Sequence, residues 1–356
     1  MSPVTILDVA RLAAVSPKTV SNVVNRPALV SPETRQRVEQ VIAELKYQPN
    51  AAARRLVTGR SGIIGLLLSD ITNPAYPEMV ETLVERAQER GYSVIVCNTH
   101  SDTDRTTDYI GLLIQQSVDG VIMTTASRLS DAAQRLSDRD IPVVLANRTI
   151  ESGRVDYIGA DNFRGGYLAT NHLIKLGHQR IAHVRGTLEA STAHGRAAGY
   201  RSALEKSNLV FSDELQVDGN YSRTGGYTAA HTLMALDAPP TAIFAANDVT
   251  ALGVMDGVLD AGRRIPEDVA VVGFDDIPLA SLRVIGLTTI HTGYVEIAKE
   301  ALDLLLYKIA HRNEPASPEV ICRIRPVHLV VRRTCGADPN WRHERQNGDP
   351  TPFFGI

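Results

Sequence analysis

Two hydrophobic rhythms divide this chain. Over the first 45 residues apolar positions recur every three or four places, in three short bursts. Ile6, Val9, Ala10 and Ala13 mark the first, and Thr5 with Asp8 three places on is an amino-terminal helix cap. Val20, Val23 and Val24 mark the second, opened by Ser16-Pro17. Val38, Val41, Ile42 and Leu45 mark the third, opened by Ser31-Pro32. Only "AVS" separates the first two, which predicts a tight helix-turn-helix. From Ile63 the rhythm changes to short continuous apolar runs: "GIIGLLLSD", "YSVIVCN", "DGVIMTT", "IPVVLAN", "RIAHVRG", "TAIFAAND" and "VAVVGFDD". Helix-like stretches such as "PEMVETLVERAQERG" and "GGYLATNHLIKLGH" lie between them. That βα alternation predicts parallel sheets covered by helices, and its length suits two lobes better than one sheet.

Between the two rhythms stands "NAAARRLVTG", residues 50–59. Its residues favour a helix, yet isolated helices under roughly 12–15 residues are marginal in water. It also lacks a wide apolar stripe, with only Leu56 and Val57 beside two arginines.

Charge sharpens the division. The net charge is −3, but residues 1–60 hold nine Lys/Arg against four acidic residues, so a basic head precedes an acidic body. Such a head suits a polyanion. On the second helix Pro17, Lys18, Ser21 and Asn22 face outward, groups suited to phosphates and base edges. In the body the strand-like runs end in Ser69-Asp70, Thr124-Thr125, Asn147-Arg148, Asn247-Asp248 and Asp275-Asp276. Ligands of open α/β sheets bind at such carboxyl ends, so two facing lobes would surround a small polar molecule with these groups.

Other chemistry finds little support. No apolar run approaches the ~20 residues of a membrane span, so no membrane association is expected. "MSPVTILDVARLAAVS" lacks the basic start and cleavage site of a secretory signal. Cys97, Cys322 and Cys335 are widely spaced without CxxC pairing, which suits free thiols in a reducing cytoplasm. The glycines at 59, 62 and 65 do not make a GxGxxG loop and precede their strand. His172, His178 and His183 share no helix face, so no metal is expected, nor any cofactor. Neither GxSxG nor HExxH occurs, so no catalytic residue is assigned and no enzyme is expected.

"ILDVARLAAVSPKTVSNVVN", "VSPETRQRV", "LKYQPN" and "ARRL" resemble, in order and spacing, the DNA-binding head of the lactose-repressor (LacI) family. "NPAY", "VDGVI", "HLIKLGHQRIA", "GRAAGY", "AIFAANDVTALG", "VVGFDD" and "LTTI" resemble that family's effector domain, which has the fold of periplasmic sugar-binding proteins. The resemblance implies an all-α helix-turn-helix head over residues 1–48 and a hinge helix and linker over 49–60. A two-lobed α/β effector-binding and dimerisation domain follows over 61–336, and 337–356 are left as a flexible tail.

It further implies that Thr5, Ser16, Pro17, Lys18, Thr19, Ser21, Asn22, Asn25, Asn50, Arg54, Arg55 and Leu56 meet DNA. The hinge folds when two copies meet in the minor groove. Ordering its residues costs ~1–2 kcal/mol each in backbone entropy, so partner and DNA must stabilise it together. Leu56 then acts as a wedge at a base step. In the body, Arg196, Asn247 and Asp275 match polar effector contacts, Tyr221 an aromatic stacking position and Thr192 a polar one. Asn147 and Tyr76 line the other lobe. Asp, Asn and Arg suit the vicinal hydroxyls of a sugar.

Departures from the family pattern are specific. Ala14 stands where glycine is usual in the turn, and Asn22 where many members carry Arg or His. Ala190 replaces an arginine that binds a purine effector in one member, which argues against a purine. Ala75 and Tyr76 replace two aromatics, Ile285 a proline, and Thr292-Gly293 a Gln-Pro pair. The expected protein is a cytoplasmic homodimeric regulator that binds pseudo-palindromic operator DNA, most simply a repressor of carbohydrate genes controlled by a sugar or sugar phosphate. A transport-type sugar-binding protein would share the body but need a signal peptide and no basic head. A Rossmann-type enzyme would need a phosphate loop.

Overall fold

The computed structural model describes residues 4–25, 27–47, 60–125, 131–151, 155–314 and 319–337. Asn50, Arg54, Arg55 and Leu56 of the expected hinge lie outside the described residues, as does the expected tail beyond Ala337. The chain forms two compact units, one of residues up to Ile63 with Ser117–Asp119, the other of the remainder.

In the head, α1 (Ile6–Leu12), α2 (Pro17–Asn25) and α3 (Pro32–Glu44) follow the three apolar bursts. Each begins where a side chain satisfies an otherwise open backbone donor. The Asp8 carboxylate accepts from the Thr5 N–H (3.0 Å) and hydroxyl (2.7 Å), and these bonds hold its carboxyl below the usual range. Ser16 Oγ accepts from the Thr19 N–H at 3.0 Å, and Ser31 Oγ from the Thr34 N–H at 3.4 Å. Val9, Ala10, Ala13, Val20, Val23, Val38 and Val41 form the core, with half-buried Ile42 and Leu45 packed at its edge, while Val24 is half-buried.

Ala14, in the turn joining α1 to α2, adopts φ +52°, the left-handed region that a Cβ disfavours. Ala14→Gly is therefore expected to stabilise the head by about 0.5–1 kcal/mol, strain relief outweighing the extra chain entropy. A thermal melt of residues 1–60 alongside the parent would show it. An unchanged or lower midpoint would mean the turn is unstrained.

Asp119 belongs to this unit because its carboxylate accepts from the Ser61 (2.9 Å) and Gly62 (2.8 Å) N–H groups. Its own N–H donates to the Ile63 carbonyl at 2.8 Å. The segment 61–63 is thus fixed by three bonds to Asp119.

The body contains two main sheets. The first includes β1 (Ile63–Leu68), β2 (Ser93–Asn98), β3 (Gly120–Met123), β4 (Val143–Ala146) and β5 (Asp156–Ala160). Helices α4 (Pro77–Glu89), α5 (Thr103–Gln116) and α6 (Ala132–Ser137) connect these strands. Through α7 (Asn162–Lys175) the chain then enters the second sheet, which contains β6 (Ile181–Arg185), β7 (Gln216–Asp218), β8 (Ala242–Ala245) and β9 (Ala270–Val272). There α8 (Ser191–Lys206), α9 (Arg223–Met234) and α10 (Asp248–Asp260) are the connecting helices.

From β9 the chain returns through β10 (Thr289–His291) to α11 (Tyr294–His311), which packs on β3, β4, β5 and α4. Strand β11 (Cys322–Arg325) completes the first sheet beside β5, and β12 (His328–Val330) pairs antiparallel with β10. Strand orders are β2-β1-β3-β4-β5-β11 and β7-β6-β8-β9. The registers Leu66↔Ile122, Leu145↔Tyr157, Val184↔Ala245 and Phe244↔Val272 are all parallel. Three connections join the two sheets, which makes the body two-lobed.

Helices α7 and α8 cross closely enough that a Cβ on Gly166 would stand 2.2 Å from the Arg196 carbonyl oxygen. A larger residue at 166 would push Arg196 out of place. His183 is a core histidine. It stacks on Phe244 (4.6 Å between centroids), its Nδ1 bonds the Phe244 carbonyl at 3.0 Å, and burial lowers its pKa to about 4.

Candidate functional site

At the carboxyl ends of both sheets lies a cavity of about 370 Å³. Tyr76, Asn147, Thr192, Arg196, Tyr221, Asn247 and Asp275 all line it, so the structure brings together the seven body residues singled out in the sequence. Strand ends supply Asn147, Asn247 and Asp275. Helix starts supply Tyr76 and Thr192, the body of α8 supplies Arg196, and the loop after β7 supplies Tyr221.

Arg196 is the most heavily tied of these side chains. Its guanidinium is buried, donating to Asn162 Oδ1 (2.9 Å), the Ala246 carbonyl and Asp275 Oδ1 (3.4 Å), and it lies 3.6 Å from the Phe274 ring centroid. Asp275 also accepts from the Tyr294 hydroxyl at 3.0 Å. Burial raises the Asp275 carboxyl to about 6, with Arg196 opposing the shift. The neighbouring Asp248 is more strongly affected. Its carboxylate is fully buried, accepts from the Thr289 hydroxyl and the Ile277 N–H, and is raised well above the usual range by desolvation and by Asp275.

Asn247 has a second task. Its Oδ1 accepts from the Thr250 N–H at 2.9 Å, capping α10. On the first-lobe side, Tyr76 shares a hydrogen bond with Ser69 (3.0 Å) and accepts from Asn147 Nδ2 (3.4 Å). Asn147 Oδ1 is buried with no hydrogen-bond partner among the described residues. Tyr221 bonds Thr192 through its hydroxyl at 2.8 Å, and its ring lies where a Cβ on Gly186 would stand 2.1 Å from Cζ.

Backbone strain concentrates here as well. Among the described residues, His100, Ser101, Asn147, Asn220, Tyr221 and Asp275 line the cavity and all adopt positive φ. Strained backbone persists where surrounding structure over-determines it, typically at ligand sites.

Arg148 and Tyr294 also line the cavity and were not among the assigned residues. Arg148 had a signal, because it directly follows Asn147 at a polar strand end. Tyr294 had none. It comes from α11, which reaches the first lobe only after the chain has crossed from the second.

The head presents a different surface. Thr5, Ser16, Pro17 and Lys18 are exposed, Thr19, Ser21 and Asn22 are half-buried, and Asn25 ends α2. The Ser16 and Thr19 hydroxyls bond each other at 2.9 Å, so both serve the helix start.

A helix-turn-helix head joined to a two-lobed α/β body with a polar cavity at its strand ends defines a ligand-controlled DNA-binding regulator. Residues 5–50 match the family of bacterial regulatory proteins, lacI family, and residues 61–326 match the periplasmic binding proteins and sugar binding domain of LacI family. The chain belongs to the LacI family, and is a DNA-binding, effector-controlled transcriptional repressor.

It is 38% identical over 325 residues to the ribose operon repressor of Escherichia coli K12, covering 91% of this chain and 97% of that protein. It is 33% identical over 331 residues to the HTH-type transcriptional repressor PurR of Haemophilus influenzae PittEE, covering 93% and 98%. The solved lac repressor dimer bound to operator and the anti-inducer ONPF superposes with a TM-score of 0.82 at 31% identity, covering 94% of this chain and all of that one. No helix among the described residues is long and apolar enough to cross a membrane.

Proposed function

We propose that this chain is a homodimeric repressor of carbohydrate-gene operators, acting in the cytoplasm and released from or recruited to DNA by a sugar-like effector. It acts by binding and has no catalytic step. The carrying observation is the convergence of seven side chains, from widely separated parts of the sequence, on one polar cavity at both sheets' strand ends. Carboxylate, amide and guanidinium groups around two tyrosines offer the donors, acceptors and ring faces that a polyol binds. The 38% identity to a ribose operon repressor favours a sugar over other small polar ligands.

The head supplies sequence reading through α2, with Thr5, Ser16, Pro17, Lys18, Thr19, Ser21, Asn22 and Asn25 as contacts. Residues 49–60 supply the hinge, through Asn50, Arg54, Arg55 and Leu56. One head discriminates by only ~1–3 kcal/mol per base pair, so two heads on a pseudo-palindrome are required. Effector binding shifts the population of lobe arrangements and with it the DNA affinity. The testing experiment is a thermal-shift screen of the full chain against sugars, followed by operator titration with each hit. A hit that raises the melting temperature and changes operator affinity supports the reading. Hits confined to non-carbohydrates overturn it.

Asn22 sets the base preference in this proposal. Asparagine pairs its amide with adenine N6 and N7, whereas arginine forks onto guanine O6 and N7. Asn22→Arg is expected to shift selection from a randomised half-site library from adenine towards guanine at the facing step. Identical sequence logos for the two proteins would make Asn22 a phosphate contact.

A further inference from the structure

Asn247 and Val249 line the cavity, whereas Asp248 between them does not and is fully buried. Its contacts fall on one short stretch of chain. The Asp248 N–H donates to the Phe274 carbonyl at 2.7 Å, and its carboxylate accepts from the Ile277 N–H at 2.9 Å. A Cβ on Gly273 would stand 2.2 Å from Asp248 Oδ1, so the carboxyl group also packs on the main chain there. Enclosed by these contacts, Asp275 and Asp276 adopt φ +118° and +63°, a region that a side chain disfavours.

The same carboxylate accepts from the Thr289 hydroxyl at 2.5 Å. Thr289 stands between Thr288 and Ile290, whose carbonyls accept from the Gly273 and Asp275 N–H groups at 2.8 and 2.9 Å. Asp248 thus ties a strained segment to the chain that supports it. Burying a carboxyl group without a cation is unfavourable, and among the described residues none pairs with Asp248. Strain of this kind lasts only where neighbouring groups leave the backbone no alternative, and Asp248 grips the segment at both ends.

We propose that Asp248 is a positioning residue for the effector site, holding the 273–277 segment so that the Asp275 carboxylate is presented to the cavity beside Arg196. It acts through Asp275 and meets no ligand itself. Its part in recognition rests on the sugar-effector reading, whereas its hold on the segment does not. Desolvation, with Asp275 nearby, pushes the Asp248 carboxyl well above the usual range, which favours the neutral acid. A neutral acid and an asparagine offer the same pattern, an oxygen for the Ile277 N–H and a donor for the Thr289 oxygen. Asp248→Asn therefore keeps the hold, and Asp248→Ala removes it.

The test is hydrogen exchange, read by mass spectrometry on the full chain, of the wild type and both variants. In the alanine variant, peptides spanning 273–277 are expected to exchange about tenfold faster, with β8 unchanged and the asparagine variant close to wild type. Thr289→Val removes one of the bonds at similar volume and should loosen the same peptides less, which keeps the test open if the alanine variant fails to fold. D-ribose, D-glucose, D-galactose and cellobiose are then titrated calorimetrically into the same proteins. A sugar that binds the wild type should bind the alanine variant about tenfold more weakly and the asparagine variant nearly as well, a separation that a general loss of stability does not produce. Exchange unchanged at 273–277, or raised equally across the second sheet, overturns the hold and the proposal with it. A loosened segment with undiminished sugar binding overturns the part in recognition. A wild type that binds none of the four sugars counts against the sugar-effector reading, and exchange still decides the hold.

Discussion

Arg196→Ala is expected to destabilise the body by about 3–5 kcal/mol, because it leaves the Asp275 carboxylate buried without its cation. Both side chains of the pair are at most 3% exposed, so solvent screening gives little relief. The loss is a large share of the ~5–15 kcal/mol by which folded proteins are stable, so the variant should still fold in the cold. It should also fail to respond to effector, which confounds stability with binding. The double replacement Arg196→Met with Asp275→Leu separates them, since exchanging a buried ion pair for apolar groups of similar volume is often neutral. It should recover most of the stability while remaining unresponsive, as urea denaturation and operator titration would report. If the double variant answers normally to the ligand that controls the parent, the effector is bound elsewhere.

How much of this was legible beforehand varied by element for physical reasons. The head's helices were readable because their starts are chemical, with Thr5, Ser16 and Ser31 each followed three places on by the residue it bonds. Strands buried on both faces announced themselves as apolar runs, as in "IPVVLAN" around β4. Strand β5 did not, because "DYIGA" interrupts its apolar positions, although all five residues are buried beside β4 and β11. Strands β7 and β11 are short, polar and at sheet edges, while β10 and β12 form only a two-stranded pair.

The cavity divides similarly. Asn147, Asn247 and Asp275 follow from the rule that open sheets bind ligands at strand ends. Arg196 and Tyr221 rested on motif resemblance, because neither a mid-helix arginine nor a loop tyrosine says which way it faces. Tyr294 depends on long-range topology, bonding Asp275 from a helix that returns from the other sheet. Sequence rhythm carries no information about such a return.

Leu56→Ala is expected to weaken specific operator binding by a few kcal/mol, the scale of wedge-driven kinking, while non-specific binding barely changes. The hinge is short. The roughly nine residues of the proposed hinge helix, 50–58, are too few to hold a helix alone, and ordering them costs on the order of 10 kcal/mol before any contact is made. In the proposed mechanism two copies meeting on DNA supply the compensation, so that hinge order and operator binding become one event. In the proposed hinge an apolar side chain gains most by entering a base step, where it would unstack the bases and open the minor groove to Arg54 and Arg55. Alanine keeps the helical propensity and loses only the wedge, so the non-specific term set by phosphate contacts persists with its salt dependence. Titrating both proteins on operator and on random duplex of equal length, at several salt concentrations, measures the two terms separately. Equal loss on both duplexes would remove the wedge from the mechanism and leave Leu56 as a linker residue.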